Sequence, residues 1–190
     1  MKVKEKVIKY QEFVEIIPNF WIGSKMNILK LITSVDIDVL VPLDDLSPKV
    51  WEVGYFGQID YCPIEDYGTL PINMETIISN RIVENLKNGK KVALFCYGGK
   101  GRTGYLASIV LRKMCEIYHE FGVIGFLREN YNNEAVESLE QVYRCVEEEH
   151  RLHWKKEIED RFFWFNDFYD NYDHYETWKF DKKGTEGDNE

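Results

Sequence analysis

Cys96 closes the apolar run Val92-Ala93-Leu94-Phe95 and opens the stretch Tyr97-Gly98-Gly99-Lys100-Gly101-Arg102-Thr103-Gly104. A cysteine attacks only as its thiolate, and that form is favoured where backbone N–H groups and positive charge converge on the sulfur. The glycines permit a tight turn of that kind, and helical apolar spacing from Leu106 to Met114 predicts a helix whose positive dipole end adds to the field. Six residues after the thiol, Arg102 can return to the same point and grip two oxygens of a phosphate with its planar fork. Thr103 places a hydroxyl where it can donate to the sulfur. The expected anion cradle is therefore the backbone of Tyr97, Gly98, Gly99, Lys100 and Gly101 together with the Arg102 side chain.

Displacing an alcohol or phenol oxygen from phosphorus needs an acid to protonate it. Asp66 follows the strand-like segment Gln58 to Ile64, on a loop bounded by Gly68 and Pro71, and can swing over the cradle; its neighbour Glu65 is the alternative. The cysteine loop resembles the signature of the cysteine-based protein tyrosine and dual-specificity phosphatases: Cys, five residues, Arg, then Ser or Thr, carried here by Cys96, Arg102 and Thr103. Pro63-Ile64-Glu65-Asp66 resembles that family's acid loop, which implies the general acid role for Asp66. The resemblance of Ala135-Val136-Glu137-Ser138-Leu139-Glu140-Gln141 implies that Gln141 positions the hydrolytic water; without it, Gln141 is a solvent-facing helical residue. The chain departs from the family at Phe95, where His usually helps to fix the loop, and this predicts a less stabilised thiolate.

Two rivals fail on spacing. Gly99 to Gly104 fits Gly-x-Gly-x-x-Gly, but the acidic residue required about 20 positions later falls on Glu116 or Glu120, in sequence that reads as helix. No Gly-Lys-Ser/Thr completes a Walker loop. His150 and His153 have no acidic or cysteine partner at metal spacing, and the chemistry implied requires neither metal nor cofactor. Cys62, upstream of the acid loop, is either a small buried strand residue or a partner for an oxidised Cys96.

The net charge of -9 argues against a general nucleic-acid binder or a protein held to anionic lipid. Four cysteines without regular spacing or a secretory leader predict a reducing, cytoplasmic setting and a soluble protein. Phosphorylated proteins or peptides are the expected partners, with no nucleic acid and no membrane. Lys100 keeps open a phosphoinositide or an RNA 5′-phosphate substrate, and Phe95 keeps open a module that recognises phosphate without turnover.

These groups require an α/β scaffold. Two strands broken at Pro18-Asn19 lead to a helix capped by Ser24, and Asp38 to Leu43 and Gln58 to Ile64 read as strands. Ser47 to Phe56 reads as a short helix. Ile72 to Asn88 is an amphipathic helix with Ile72, Ile77, Ile78, Ile82, Val83 and Leu86 on its apolar face. Helices are expected over 105–119, 121–130 and 134–150. Such alternation implies a central, mainly parallel sheet of four to five strands flanked by helices, with ligands at the strands' carboxyl ends. Residues 1–150 form the expected phosphatase domain. Residues 151–190 form an aromatic, acidic extension, helical to about 178 and then disordered, which either packs on the domain or binds a partner.

Overall fold

The computed structural model describes residues 10–46, 49–114 and 120–145, with the backbone alone at 120 and 121. The last part, 115–119, of the helix expected over 105–119, the stretch 146–150 with His150, and the extension 151–190 with His153 lie outside the described residues.

Five strands form one sheet in the order β1-β2-β5-β3-β4. The strands β1 (Val14–Ile17) and β2 (Phe20–Ser24) make an antiparallel pair turned at Asn19, whose φ of 66 is one that Asn tolerates better than most residues. Parallel pairing then joins β2 to β5 (Val92–Cys96), β5 to β3 (Val39–Pro42) and β3 to β4 (Gln58–Ile59). The strand expected over 58–64 is shorter as a ladder, because it lies at the edge. Its extended chain nonetheless follows β3, with N–H groups of Asp60, Cys62 and Ile64 donating to Leu40, Pro42 and Leu43 at 2.8, 3.0 and 3.1 Å.

Side chains alternate across β5 as a strand requires. Val92, Leu94 and Cys96 face a layer built from α3 (Ile72–Lys87), α4 (Gly101–Met114), α5 (Glu120–Asn130) and α6 (Leu139–Cys145). Ala93 and Phe95 face the opposite layer, which includes Ile28 and Leu31 of α1 (Ile28–Ser34) and Val50 of α2 (Lys49–Glu52). Burial on both faces explains the uninterrupted apolar runs of β3 and β5.

Three expectations need correction. The α3 face that is buried runs through Glu75, Ile78, Ser79, Ile82, Val83 and Leu86, leaving Ile72 and Ile77 about half exposed. Of the short helix expected over 47–56, the described part, 49–56, holds only α2. The helix expected from Glu134 begins at Leu139, because residues 131–138 turn back against α4. Gly104 permits that approach: a Cβ there would lie 2.8 Å from the Val136 nitrogen. Arg128 secures the turn by donating to the Ala135 and Val136 carbonyls at 3.0 and 3.2 Å, and Val136 is held at φ 64, a strained value for a branched residue. No helix among the described residues is long and apolar enough to cross a membrane.

Candidate active site

Cys96 ends the central strand, buried at 3% exposure, and α4 starts five residues later. The neighbouring strands end beside it, since Ser24 is in register with Cys96 and Pro42 with Phe95. Gly99 folds back at φ 75 so that its N–H donates to Cys96 Sγ at 3.3 Å. Arg102, from the first turn of α4, is buried and donates to the Ile64 carbonyl at 3.0 Å, while its Nη2 lies 3.2 Å from Asp66 Oδ1. Thus the thiol, the Gly99 N–H, the guanidinium and the expected acid meet at the carboxyl ends of the parallel strands. Thr103 Oγ1 is buried with no partner among the described residues. A buried hydroxyl left free in this way is open to donate to an anion in the cradle.

The loop that carries Asp66 is tied down. A turn from the Glu65 carbonyl to the Gly68 N–H, 3.0 Å, carries Asp66 and Tyr67 at its tip, with Glu65 exposed. Ser138 Oγ donates to the Tyr67 carbonyl at 2.9 Å, Gln141 Nε2 to the Gly68 carbonyl at 3.1 Å, and Thr69 Oγ1 to Glu140 at 2.6 Å. Gln141 is fully buried rather than solvent-facing, and its Oε1 accepts from the Glu137 and Ser138 N–H groups at 3.0 and 3.3 Å. A second anchor joins three helices to the same loop: Tyr105 donates to Glu75, Arg144 Nε donates to Glu75 at 3.1 Å, and Arg144 Nη2 donates to the Leu70 carbonyl at 3.0 Å.

Carboxylates surround the cradle. Lys100 is ion-paired with Glu134. Asp44, two residues past the end of β3, lies 3.2 Å from Lys25 Nζ and 3.9 Å from Arg102 Nη2. Its burial acts to raise its pKa, but the Asp45 N–H, Lys25 and Arg102 outweigh that and hold it below the usual carboxylate value. Glu137 accepts the Gly101 N–H at 2.8 Å, and burial raises its pKa against the pull of that N–H and of Lys100, with Glu134 and Asp66 adding repulsion. At the mouth, the exposed Tyr97 meets Tyr10 edge-on, centroids 5.6 Å apart, and Lys25 stands 5.1 Å from its ring centre.

Phe95 points away from the loop and packs edge-on against Phe13, so it takes no part in fixing the turn. Other side chains do so: Ser24 Oγ donates to the Tyr97 carbonyl and Tyr131 to the Gly99 carbonyl. Cys62 is a free buried thiol whose pKa burial pushes up, which fits the small strand residue of the two alternatives. Sequence reasoning missed Asp44 and Tyr131. A rule that carboxylates just past strand ends face the ligand would have found Asp44; nothing local marks Tyr131.

A family model described as cyclin-dependent kinase inhibitor 3 matches residues 49–120. An uncharacterized protein of Methanocaldococcus jannaschii is 36% identical over 81 residues, 43% of this chain, and the chain spans about half of that relative, 52%. Among solved structures, the active form of Tk-PTP superimposes with a TM-score of 0.54 and 23% identity, covering 77% of this chain and 95% of the other. Kinase associated phosphatase, with serine at its catalytic-site cysteine, gives 0.58 and 16% over 80% and 98%.

Proposed function

Because the chain has the fold of the protein tyrosine and dual-specificity phosphatases, we propose that it hydrolyses phosphomonoesters, with phosphotyrosine in proteins as its substrate, through a phosphocysteine at Cys96. The observation that carries this is the meeting of Cys96 Sγ, the Gly99 N–H, Arg102 and Asp66 at the strand ends. An incoming phosphate takes over the Arg102 fork, and Asp66, released from it, faces the leaving oxygen. Cys96 Sγ attacks phosphorus in line while the loop N–H groups and Arg102 hold the three equatorial oxygens. Asp66 protonates the departing oxygen and Thr103 donates to the sulfur. Water deprotonated by Asp66 then cleaves the phosphorus–sulfur bond, with Gln141, by the family resemblance, orienting it. Gln141 also holds the acid loop through Gly68.

The surroundings favour a single phosphate on a protein over a polyanion. Glu134 neutralises Lys100 and Asp44 neutralises Lys25, which leaves the cradle little cationic charge beyond Arg102 to attract inositol polyphosphates or RNA. Tyr97 and Tyr10 offer aromatic surface to a phenyl ring. The test is phosphate release from a phosphotyrosine peptide, in chelator and reductant, by the wild type and Cys96→Ser. Turnover that persists in chelator and disappears in the variant is expected. Equal inactivity of both proteins on the peptide and on a small aryl phosphate would overturn the proposal.

A further inference from the structure

An anion cradle works only if its peptide units turn their N–H groups inward, which requires their carbonyls to be held outward. In a planar trans peptide the C=O and N–H point in opposite directions, so a donor that fixes one from outside fixes the other toward the inside. Two side chains grip the cysteine loop in this way. Ser24 takes the Tyr97 carbonyl, which by that rule turns the Gly98 N–H the opposite way; Tyr131 takes the Gly99 carbonyl, which does the same for the Lys100 N–H; and the N–H between them, of Gly99, donates to Cys96 Sγ.

We propose that Tyr131 is a positioning residue for Cys96: its hydroxyl, through the Gly99–Lys100 peptide, orients the loop N–H groups that stabilise the thiolate and receive the phosphate. Tyr131 lies after α5, in the turn that faces the start of α4, and is buried. Gln11 Nε2 donates to its backbone carbonyl at 3.1 Å and Asn132 to Gln11 Oε1 at 2.8 Å, which fixes the ring's origin. Burial, with the nearby Cys96 charge, raises the Tyr131 pKa well above its ordinary value, so the hydroxyl remains a donor wherever the enzyme works. Tyr131 thus supplies from across the loop the restraint that Phe95, turned to the other face of the sheet, does not provide.

The inference rests on Cys96 being the nucleophile, so its first readout requires no turnover: the pH dependence of iodoacetate alkylation at Cys96, followed by peptide mass. Tyr131→Phe keeps the ring and removes the donor. Its alkylation midpoint is expected to rise by about half a unit to one unit, as the loss of one modest hydrogen bond allows. Protection of Cys96 by inorganic phosphate should weaken by about 3- to 10-fold. Tyr131→Leu, which also loses the ring, should lower thermal stability while shifting the midpoint no further. A Tyr131→Phe midpoint that coincides with a low wild-type midpoint overturns the role of Tyr131 and leaves Cys96 as the nucleophile. A wild-type Cys96 that titrates as an ordinary thiol, with no phosphate release, removes both.

Discussion

Gly98 and Gly99 stand side by side in the cysteine loop with opposite surroundings, and alanine at each should give opposite results. A Cβ on Gly98 would meet nothing nearer than Lys100 Cγ at 4.0 Å, and its backbone is not left-handed. Gly98→Ala should keep turnover and hold or raise stability by about 0.5 kcal/mol, through a less flexible unfolded chain. At Gly99 the φ of 75 alone costs an alanine about 1 kcal/mol. Its Cβ would also lie 2.7 Å from the Gly23 carbonyl carbon and the Ser24 nitrogen. Both atoms are backbone at the end of β2, paired to β5 at Phe95 and Cys96, so the overlap must move the loop, at about 1–3 kcal/mol. Together the two effects predict a loss of about 2–4 kcal/mol in urea unfolding. Displacing the loop also draws the Gly99 N–H away from the sulfur, and losing one donor to a reacting anion typically lowers kcat by about 10²- to 10³-fold. Urea curves and phosphate release for both variants measure this directly. Gly99→Ala within about 0.5 kcal/mol of wild type and fully active, or Gly98→Ala equally damaged, would refute the geometric argument.

Three further substitutions test the frame around the loop. Burial raises the Glu137 carboxyl in the fold, so its contribution to stability is fully present below the unfolded value of about 4.5 and is lost as pH rises through the folded one. Glu137→Gln keeps an acceptor for the Gly101 N–H without the charge; thermal melts should show a flatter pH profile from about 4.5 upward and greater stability than wild type at pH 7, and parallel profiles would contradict this. Arg144→Met leaves Glu75 buried beside Tyr105 without its cation, and should cost about 3–5 kcal/mol in urea unfolding. Adding Glu75→Gln should recover part of that loss; fully additive losses would show that the pair is uncoupled.

The cysteine loop was legible because everything that defines it lies within a dozen residues: an apolar strand, glycines, a thiol, an arginine and a helix. That a loop past a strand end would bring Asp66 to Arg102 was legible for the same reason, although the anchoring of that loop through Ser138, Gln141 and Arg144 was not. Helical periodicity placed Ile72 and Ile77 inside α3, whereas the buried stripe includes Glu75 and Ser79, polar groups satisfied by Tyr105 and Lys113 across the helix interface. The same local rules extended a helix through 134–138, where Arg128 and the close approach at Gly104 impose a turn. Asp44, Glu137 and Tyr131 act on the loop from other elements, and no pattern of neighbours in the chain announces such a contact.

The central place of β5 also governs how the molecule is made. The strands β2 and β3 do not touch each other in the sheet; each is bonded to β5. A growing chain that has not yet presented residues 92–96 therefore has two separate strand pairs, β1-β2 and β3-β4, with Ile22 and Val41 on open edges. Pairings between such distant segments form slowly and leave those edges vulnerable to association in the meantime. The insertion that joins the two halves is also what sets Cys96 between Ser24 and Pro42. Cys96 takes up its place at the strand ends only as the sheet is completed, so its burial, read as protection from alkylation, serves as a clock for the end of folding.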